Sequence, residues 1–321
     1  MKDIATAYKN QKRKVKVSNN FILLVVFVLI FIAFSFLDRN FLTYYNISTM
    51  FRNLVIAGIL AVGLTPLMIS RGIDVSFGSN LSLATVIIAI LYNSGVNIYL
   101  AMLAALVLSV SIGLVNGVLI EFFNLNALIA TLGTMSIYMA LALVITKGNP
   151  VGILSDQLLK IAFGSFLKLP IPVWIFIILI LIYYFILNYT VAGRTVYIIG
   201  ANPLASYSCG IRVRKVRIIL YAFFGLMVGF AAIFVAGFIG TGDAFHGANW
   251  LLPALSAVLL GGIGLGGGSG TIWGSILGVM IISVIFNGFA VMGVSSDISK
   301  VLQGVLLIII VSIYEVRSRK T

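Results

Sequence analysis

Residues that could do chemistry are few and widely spaced along this 321-residue chain. There is one histidine, His246, and one cysteine, Cys209, so a disulfide within the chain, histidine-rich metal sites and haem held by two histidines are excluded. The eight acidic residues are scattered, and no G-x-x-x-x-G-K-[ST] phosphate loop occurs. We therefore expect no catalytic residue, no metal site and no ATPase, and an enzyme is the least favoured interpretation.

Glycines cluster in residues 261–271, which contain a G-x-G-x-x-G at Gly262, Gly264 and Gly267. The segment follows an apolar stretch rather than a strand, and no acidic residue lies about 20 positions later, so dinucleotide binding is excluded. The glycines predict instead a tight turn and close approach between helices. Close helix packing is also predicted by the G-x-x-x-G spacings at Gly113 and Gly117, Gly225 and Gly229, and Gly274 and Gly278.

A faint internal repeat links the glycine turn to an earlier segment. Gly72, Gly78 and Ser79 recur 190 positions later as Gly262, Gly268 and Ser269. The repeat hints at two related halves of the chain. We assign structural roles to its four glycines, Gly72, Gly78, Gly262 and Gly268.

Polar residues inside the apolar stretches are the candidates for a solute pathway. Asp74 has two interpretations: an N-cap for a helix that starts at Val75, which is favoured, or a pathway residue. The uncharged groups suit a neutral, hydroxyl-rich solute better than an ion, although packing between helices is their commoner role. The pathway candidates are Asp74, Ser76, Asn116, Thr131, Thr134 and Asn287, and Tyr138 shares their pattern.

Composition places these residues in a membrane. The chain is 61% apolar and 9% charged, whereas about 25% of residues are charged in soluble proteins. At about 20 residues per membrane helix, the apolar residues fill at most about ten spans. We predict an all-α polytopic protein, with one transmembrane domain over residues 1–321. The spans are predicted at 21–37, 52–70, 75–92, 98–120, 127–147, 170–189, 217–239, 251–262, 271–291 and 298–314.

Two of these spans are weaker than the rest. Residues 75–92 begin with polar side chains, and residues 251–262 are too few to cross a hydrocarbon core about 30 Å thick. We expect broken, short or partly re-entrant helices at both places. Such backbone is tolerated at membrane depth only inside protein or beside water, so both places are pathway candidates as well.

Basic residues predict the orientation. An even number of spans, with the N-terminus inside, puts fifteen Lys and Arg on the cytoplasmic side and six outside. Both termini are then cytoplasmic, including a basic tail over residues 1–18. The net charge of +13 therefore indicates orientation in a membrane rather than nucleic-acid binding.

Two polar segments between spans could receive partners. Residues 190–217 form the longest cytoplasmic loop, in which Asn202 caps a short helix, Pro203 takes its first position and Gly210 follows its end. This helix is either a docking element for a soluble partner or part of a loop that only sets orientation. Residues 148–170 are predicted outside, as an interfacial helix or a surface for an external partner.

Four segments, in order, resemble the membrane subunits of bacterial ABC importers for ribose and other simple sugars. The first, Gly72–Ser79, is similar to the family's G-I-D-L-S-V-G-S signature. The resemblance covers residues 40–315. The other matching segments are Asn126–Gly133, Gly200–Pro203 with Ser208–Ile211, and Gly261–Thr271 followed by Asn287-Gly288 and Gly293–Ser296.

The resemblance implies a type II-like permease of ten helices in the bacterial inner membrane, paired with a second, identical or different, permease subunit. It also implies cytoplasmic ATPase subunits, which bind ATP and Mg²⁺, and an external or periplasmic sugar-binding protein, with no cofactor in this chain. The sequence departs from the family at Phe77, where Val is common, and at Ala201, where a second Gly is common. Residues that would couple to the ATPase are Asn202, Pro203, Ala205, Ser208 and Gly210.

The function predicted is therefore that of a permease subunit of an ATP-driven sugar importer. The alternative is an ion-coupled secondary sugar transporter, which the scarcity of intramembrane carboxylates disfavours. A ribose-like pentose, a hexose and a furanose-like autoinducer all remain open as the solute.

Overall fold

A computed structural model describes residues 19–167, 169–264 and 266–318, the last six of them as backbone. The predicted basic tail over residues 1–18 lies outside the described residues. Helices dominate the described chain, which confirms the all-α class. They are α1 (Asn19–Leu37), α2 (Tyr44–Ile69), α3 (Phe77–Asn93), α4 (Ile98–Phe122), α5 (Ala127–Thr146), α6 (Asp156–Phe163), α7 (Ile171–Tyr189), α8 (Val191–Ala201), α9 (Pro203–Ser208), α10 (Val213–Ile239), α11 (Ala248–Leu260), α12 (Ile272–Val291) and α13 (Ser296–Ser318).

The strands of the described chain are two residues long and only tie loops together. Strand β1 (Val151–Gly152) pairs antiparallel with β4 (Thr241–Gly242), which joins the loop before α6 to the end of α10. Strands β2 (Ser165–Phe166) and β3 (Leu169–Pro170) form a small hairpin between α6 and α7.

Each predicted span contains a helix. Within the described residues, α1, α2, α4, α5, α7, α10 and α12 are long and apolar enough to cross a bilayer, which confirms a polytopic membrane protein. Helices α3 and α11, with 17 and 13 residues, are shorter. At 1.5 Å per residue α11 extends only about 20 Å, less than the hydrocarbon core. The two weak spans are therefore the two short helices.

Helix α2 begins eight residues earlier than predicted, at Tyr44 rather than at residue 52. The side chain of Thr43 accepts a hydrogen bond from the amide of Asn46 and caps the helix. The early polar residues of α2 concealed this start, but the fold provides partners for some of them. The guanidinium of Arg52, for example, lies 4.6 Å from the ring centre of Phe163 on α6.

Glycines bring the central helices together, as the G-x-x-x-G spacings predict. A Cβ on Gly225 of α10 would overlap the carbonyl oxygen of Ser109 on α4, and one on Gly113 would overlap that of Tyr221. A Cβ on Gly278 of α12 would likewise overlap the carbonyl of Ala257 on α11. The backbones of these pairs therefore touch, which only small residues permit. Helices α2, α3 and α10 form the centre of the buried core.

The 190–217 segment is more helical than predicted. Thr190 caps α8 by accepting a hydrogen bond from the amide of Gly193 at 3.2 Å, and Val196 and Ile199 bury the inner face of this helix. Helix α10 then begins at Val213, four residues before its predicted start. The predicted short helix is present as α9, but α8 precedes it as a second helix, which the sequence pattern did not reveal because Gly193 and Arg194 interrupt its apolar residues.

The 148–170 segment contains α6, capped by Ser155. One face of α6 packs on the protein, since Leu158 and Ala162 are buried and Ala162 lies against Gly237 of α10. Leu154, just before the helix, is 90% exposed. An interfacial position for this segment stays a prediction.

Candidate functional site

A buried polar cluster lies where α2 passes into α3. The carboxylate of Asp74, which is 3% exposed, accepts hydrogen bonds from the amide and the hydroxyl of Ser76 at 2.8 and 2.7 Å. Helix α3 starts at Phe77, and Ser76 precedes it. The prediction that Asp74 caps a helix starting at Val75 is therefore wrong, because its carboxylate closes the turn before the helix instead.

Side chains from α4 and α5 complete this cluster. The amide nitrogen of Asn116 donates to the hydroxyl of Ser76 at 2.8 Å and to Asp74 Oδ2 at 3.2 Å. The Tyr138 hydroxyl donates to Asn116 Oδ1 at 3.3 Å. The structure thus brings together Asp74, Ser76 and Asn116 of the pathway candidates. Their hydrogen bonds are made to one another, and together with Tyr138 they join the turn before α3 to α4 and α5.

Two other candidates, Thr131 and Thr134, stay apart from the cluster. The Thr131 hydroxyl donates to the carbonyl of Ala127 at 2.8 Å, and that of Thr134 donates to the carbonyl of Thr131 at 3.3 Å. Both side chains are buried, with their hydroxyls bonded within α5. This bonding is typical of helix packing.

The last candidate, Asn287, lies in a separate cleft between α2, α11, α12 and α13. Asn287 and Asn46 exchange reciprocal amide hydrogen bonds at 2.9 and 2.8 Å. The cleft has a volume of about 460 Å³. Trp250 and Phe286 contribute aromatic surface to it. Its polar lining, which defines the amide cleft, consists of Asn46, Thr49, Asn53, Asn249, Ser283, Asn287 and Gln303.

Most residues of the amide cleft were not predicted from the sequence. Only Asn287 was a candidate, because polar residues near the ends of apolar stretches are typical of span boundaries. A signal was nonetheless present: Asn46 and Asn53 are seven positions apart, which is two helical turns. Two amides on one face of an apolar helix predict a polar neighbour for that face.

At the opposite end of α2, three backbone segments meet. The Arg71 guanidinium donates to the carbonyl oxygens of Gly200 and Ala201 at 2.6 and 2.8 Å. The amide of Gly268 donates to the carbonyl of Ile69 at 2.8 Å. A Cβ on Gly200 would overlap that same carbonyl oxygen. We call these five residues the Arg71 junction, which joins the end of α2, the end of α8 and the glycine turn.

An ion pair supports the junction from α4 and α10. Arg217 lies 3.3 Å from Glu121 Oε1 and donates through Nε to the carbonyl of Ser70 at 3.0 Å. Glu121 is the next-to-last residue of α4. Its partner Arg217 lies on α10, 96 positions away in the sequence, so the ion pair is a tertiary contact.

The structural glycines serve different purposes. Gly262 and Gly268 have φ of +92° and +80°, a left-handed conformation that favours glycine. Gly78 is the second residue of α3 and lies beside Gly247, whose carbonyl oxygen would be 3.1 Å from a Cβ at Gly78. Gly72 packs against the side chain of Leu67. Turn conformation thus explains Gly262 and Gly268, and close packing explains Gly72 and Gly78.

Helix α9 lies next to the Arg71 junction. Asn202 Oδ1 accepts from the amide of Ala205 at 3.1 Å, Pro203 is the first helical residue and Gly210 has φ of +80°. Ser206 is buried and donates to the carbonyl of Ile198 at 3.1 Å, which fixes α9 onto α8. Ala205 and Ser208 face outward.

The outward face of α9 carries two large apolar side chains that were not predicted from the sequence. Leu204 and Tyr207 are 82% and 76% exposed. Beside Tyr207 lie the exposed ring of Phe122 and the basic residues Arg212, Arg214 and Lys215. We call Leu204, Tyr207 and Phe122 the docking surface. Exposed apolar residues ringed by charge are typical of a protein–protein contact.

Comparisons with known proteins agree with this architecture. Residues 46–311 match the family described as branched-chain amino acid transport system / permease component. The autoinducer 2 import system permease protein LsrD of Escherichia coli K12 is 35% identical over 297 residues, covering 90% of this chain and 88% of LsrD. LsrD of Shigella flexneri shows the same values. LsrD of Escherichia coli O157:H7 is 36% identical over 260 residues, 79% of each chain.

Among solved structures, PsaBC from Streptococcus pneumoniae in complex with Fab has a TM-score of 0.45 at 17% identity, covering 87% of this chain and 93% of that one. The family match spans the helices that form the buried cluster, the amide cleft and the Arg71 junction. This chain therefore belongs to the permease components of the branched-chain amino acid transport system family, the membrane-spanning translocation subunits, and is not an enzyme.

Proposed function

We propose that this chain is the permease subunit of an ATP-driven importer of a simple sugar or sugar-like solute. The observation that carries the proposal is the 35% identity over 90% of the chain to a permease named for autoinducer 2 import. The family description names branched-chain amino acids instead. Over the aligned length the identity to LsrD is the more specific relation, so it decides the solute class.

The partners follow from the permease role. Separate cytoplasmic ATPase subunits bind ATP and Mg²⁺, an external or periplasmic binding protein delivers the solute, and a second permease subunit, identical or different, completes the pathway. The absence of a phosphate loop from the whole sequence supports a separate ATPase. The protein resides in the bacterial inner membrane, with both termini and the 190–217 segment in the cytoplasm, as its basic residues predict.

Coupling to the ATPase runs through α9. Its capped, rigid geometry and the exposed side chains of Leu204 and Tyr207 support contact with a soluble protein. Movement of α9 is passed to α8, because the buried Ser206 hydroxyl bonds back to Ile198. The coupling residues proposed are Asn202, Pro203, Ala205, Ser208 and Gly210, and we add Leu204 and Tyr207 because their side chains are exposed.

The Arg71 junction continues this route into the membrane. Gly200, at the end of α8, contacts the ends of α2 and of the glycine turn so closely that a side chain has no room. A shift of α8 therefore displaces both segments, since packed interfaces move as rigid bodies. These segments lead into α3 and α12. The interface between the two permease subunits then opens alternately toward each side of the membrane.

Reconstitution tests the proposed function. The permease is purified with the ATPase, binding protein and any second permease encoded beside it, and placed in proteoliposomes. We expect ATP-dependent uptake of labelled ribose or labelled autoinducer 2, and no uptake of labelled leucine. Uptake of leucine alone would contradict the solute class. Accumulation by the isolated permease on an ion gradient would replace the importer with a secondary carrier.

A further inference from the structure

The amide cleft lies at the end of the molecule remote from the Arg71 junction. Helix α2 leaves the junction at Ile69 and reaches the cleft at Asn46, a distance of about 35 Å at 1.5 Å per residue. Helix α12 likewise begins beside the glycine turn and brings Asn287 to the cleft near its other end. With the junction on the cytoplasmic side, the cleft opens toward the outside, where solute arrives.

The lining of the amide cleft is polar but uncharged. Its side chains are amides, hydroxyls, aromatic rings and aliphatic groups, and no Asp, Glu, Lys, Arg or His is among the described residues that line it. Amides and hydroxyls both donate and accept hydrogen bonds, as sugar hydroxyls do. The carboxylate and ammonium of an amino acid call for charged partners, which this lining does not supply. Its volume of about 460 Å³ is in the range of small-molecule sites.

Several groups in the cleft are free to bind. Among the described residues, Asn53, Asn249, Ser283 and Gln303 make no side-chain hydrogen bond to the protein, whereas the buried Asn46 is held by Asn287 and by the carbonyl of Phe41. An unpaired amide in lipid costs free energy, so these groups face water or a solute. The Asn46–Asn287 pair is thus held in place by its own hydrogen bonds, and the amides without a protein partner line the rest of the cleft.

Trp250 adds an apolar surface to this set of hydrogen-bonding groups. Its ring is half-buried and packs on the core, which holds it in place beside Asn249. A rigid aromatic face next to free amides suits a ring that has both C–H and O–H surfaces. We propose that the amide cleft is an outward-facing binding site of the permease for a neutral, hydroxyl-rich solute. The proposal rests on the proposed function, since it gives that solute a place in this chain.

The test replaces free amides with leucine, which is close to asparagine in shape but has no hydrogen-bonding group. The variant is Asn53→Leu with Asn249→Leu in the complete importer in proteoliposomes. Labelled ribose, autoinducer 2 and leucine are again the probes. Both asparagines are exposed and make no described hydrogen bond, so the fold does not depend on them. We expect uptake of the sugar-like probe to fall at least fivefold, with copurification of the ATPase subunits unchanged within twofold.

Two controls separate binding from structure. Asn188→Leu changes an exposed amide on α7 that bonds only to its own helix, and it should leave uptake unchanged. Asn53→Gln with Asn249→Gln keeps the hydrogen-bonding groups and should retain most of the uptake. Normal uptake by the double leucine variant would overturn the cleft assignment while the importer function stands. If the wild-type complex carries leucine only, the proposed function and the neutral site fail together.

Discussion

At the residue scale, the cluster around Asp74 is expected to stabilise the permease. In Asp74→Asn, one amide oxygen remains to accept from Ser76, but an NH₂ group replaces the acceptor that faces the amide nitrogen of Asn116. Two buried donors then oppose each other, at a cost of about 1–3 kcal/mol. We expect a lower Tm of the purified permease in detergent.

A matched substitution checks this prediction. Asp297, in the first turn of α13, is exposed, so Asp297→Asn has the same chemistry without burial. Its Tm should fall less than that of Asp74→Asn, because an exposed acid in the first helical turn contributes only about 0.3–1 kcal/mol through the helix dipole. An equal loss in both variants would show that the cluster has no special role.

The buried imidazole of His246 should make the stability of the folded permease depend on pH. Burial lowers the pKa of its imidazole below the ordinary value of 6.5, and the ring pairs with the Thr241 hydroxyl at 3.0 Å. The unfolded chain therefore takes up the proton first as the pH falls, so stability declines below about pH 6.5. Thermal unfolding at pH 7 and pH 5 should show a larger drop in Tm for the wild type than for His246→Gln. An identical drop in the two proteins would contradict the assignment.

At the element scale, the contact between α4 and α10 predicts opposite effects for one substitution at two sites. Gly225→Ala places a methyl group against the carbonyl of Ser109 and should lower the Tm. Gly133→Ala on α5 meets nothing within 4 Å and should raise stability by about 0.5–1 kcal/mol, since alanine favours helix. Melting curves of the two variants in the same detergent decide the matter, and equal effects would be incompatible with glycine-mediated packing.

Introducing a negative charge on α9 tests the docking surface. Leu204→Glu puts a carboxylate into the proposed contact with the ATPase, where burial without a partner is costly. We expect at least a tenfold loss of copurified ATPase, with insertion of the permease unchanged. Leu154→Glu is the control, because Leu154 is equally exposed but lies before α6, on the proposed external side. Intact copurification of the Leu204→Glu variant would move the docking site elsewhere.

At the scale of the whole molecule, the orientation can be read from the one cysteine. Cys209 is exposed at the end of α9 and is the only thiol in the sequence. A membrane-impermeant maleimide should therefore label inside-out vesicles and leave intact spheroplasts unlabelled. The opposite result would invert the topology and place the docking surface outside. Permeabilised spheroplasts serve as the positive control, since both sides are then accessible.

Much of this architecture was predictable from local sequence. Apolar stretches predicted a helix at every span. The caps at Asn202 and Thr190 are local signals as well, of which the cap at Asn202 was predicted. The G-x-x-x-G spacings predicted helix contacts but not which helices meet. The error at Asp74 has a local cause, since one carboxylate next to an apolar run fits both a cap and a turn.

The membrane class, the all-α fold and the resemblance to sugar importers were predictable without a structure, because composition, apolar periodicity and short motifs are local properties. Which polar residues meet is visible only in the folded protein. Asn46 and Asn287 are 241 positions apart, and Arg71 and Gly200 are 129 apart, so no local pattern links them. Their partners follow from helix packing, in which the backbone contacts allowed by glycine set which faces are opposed.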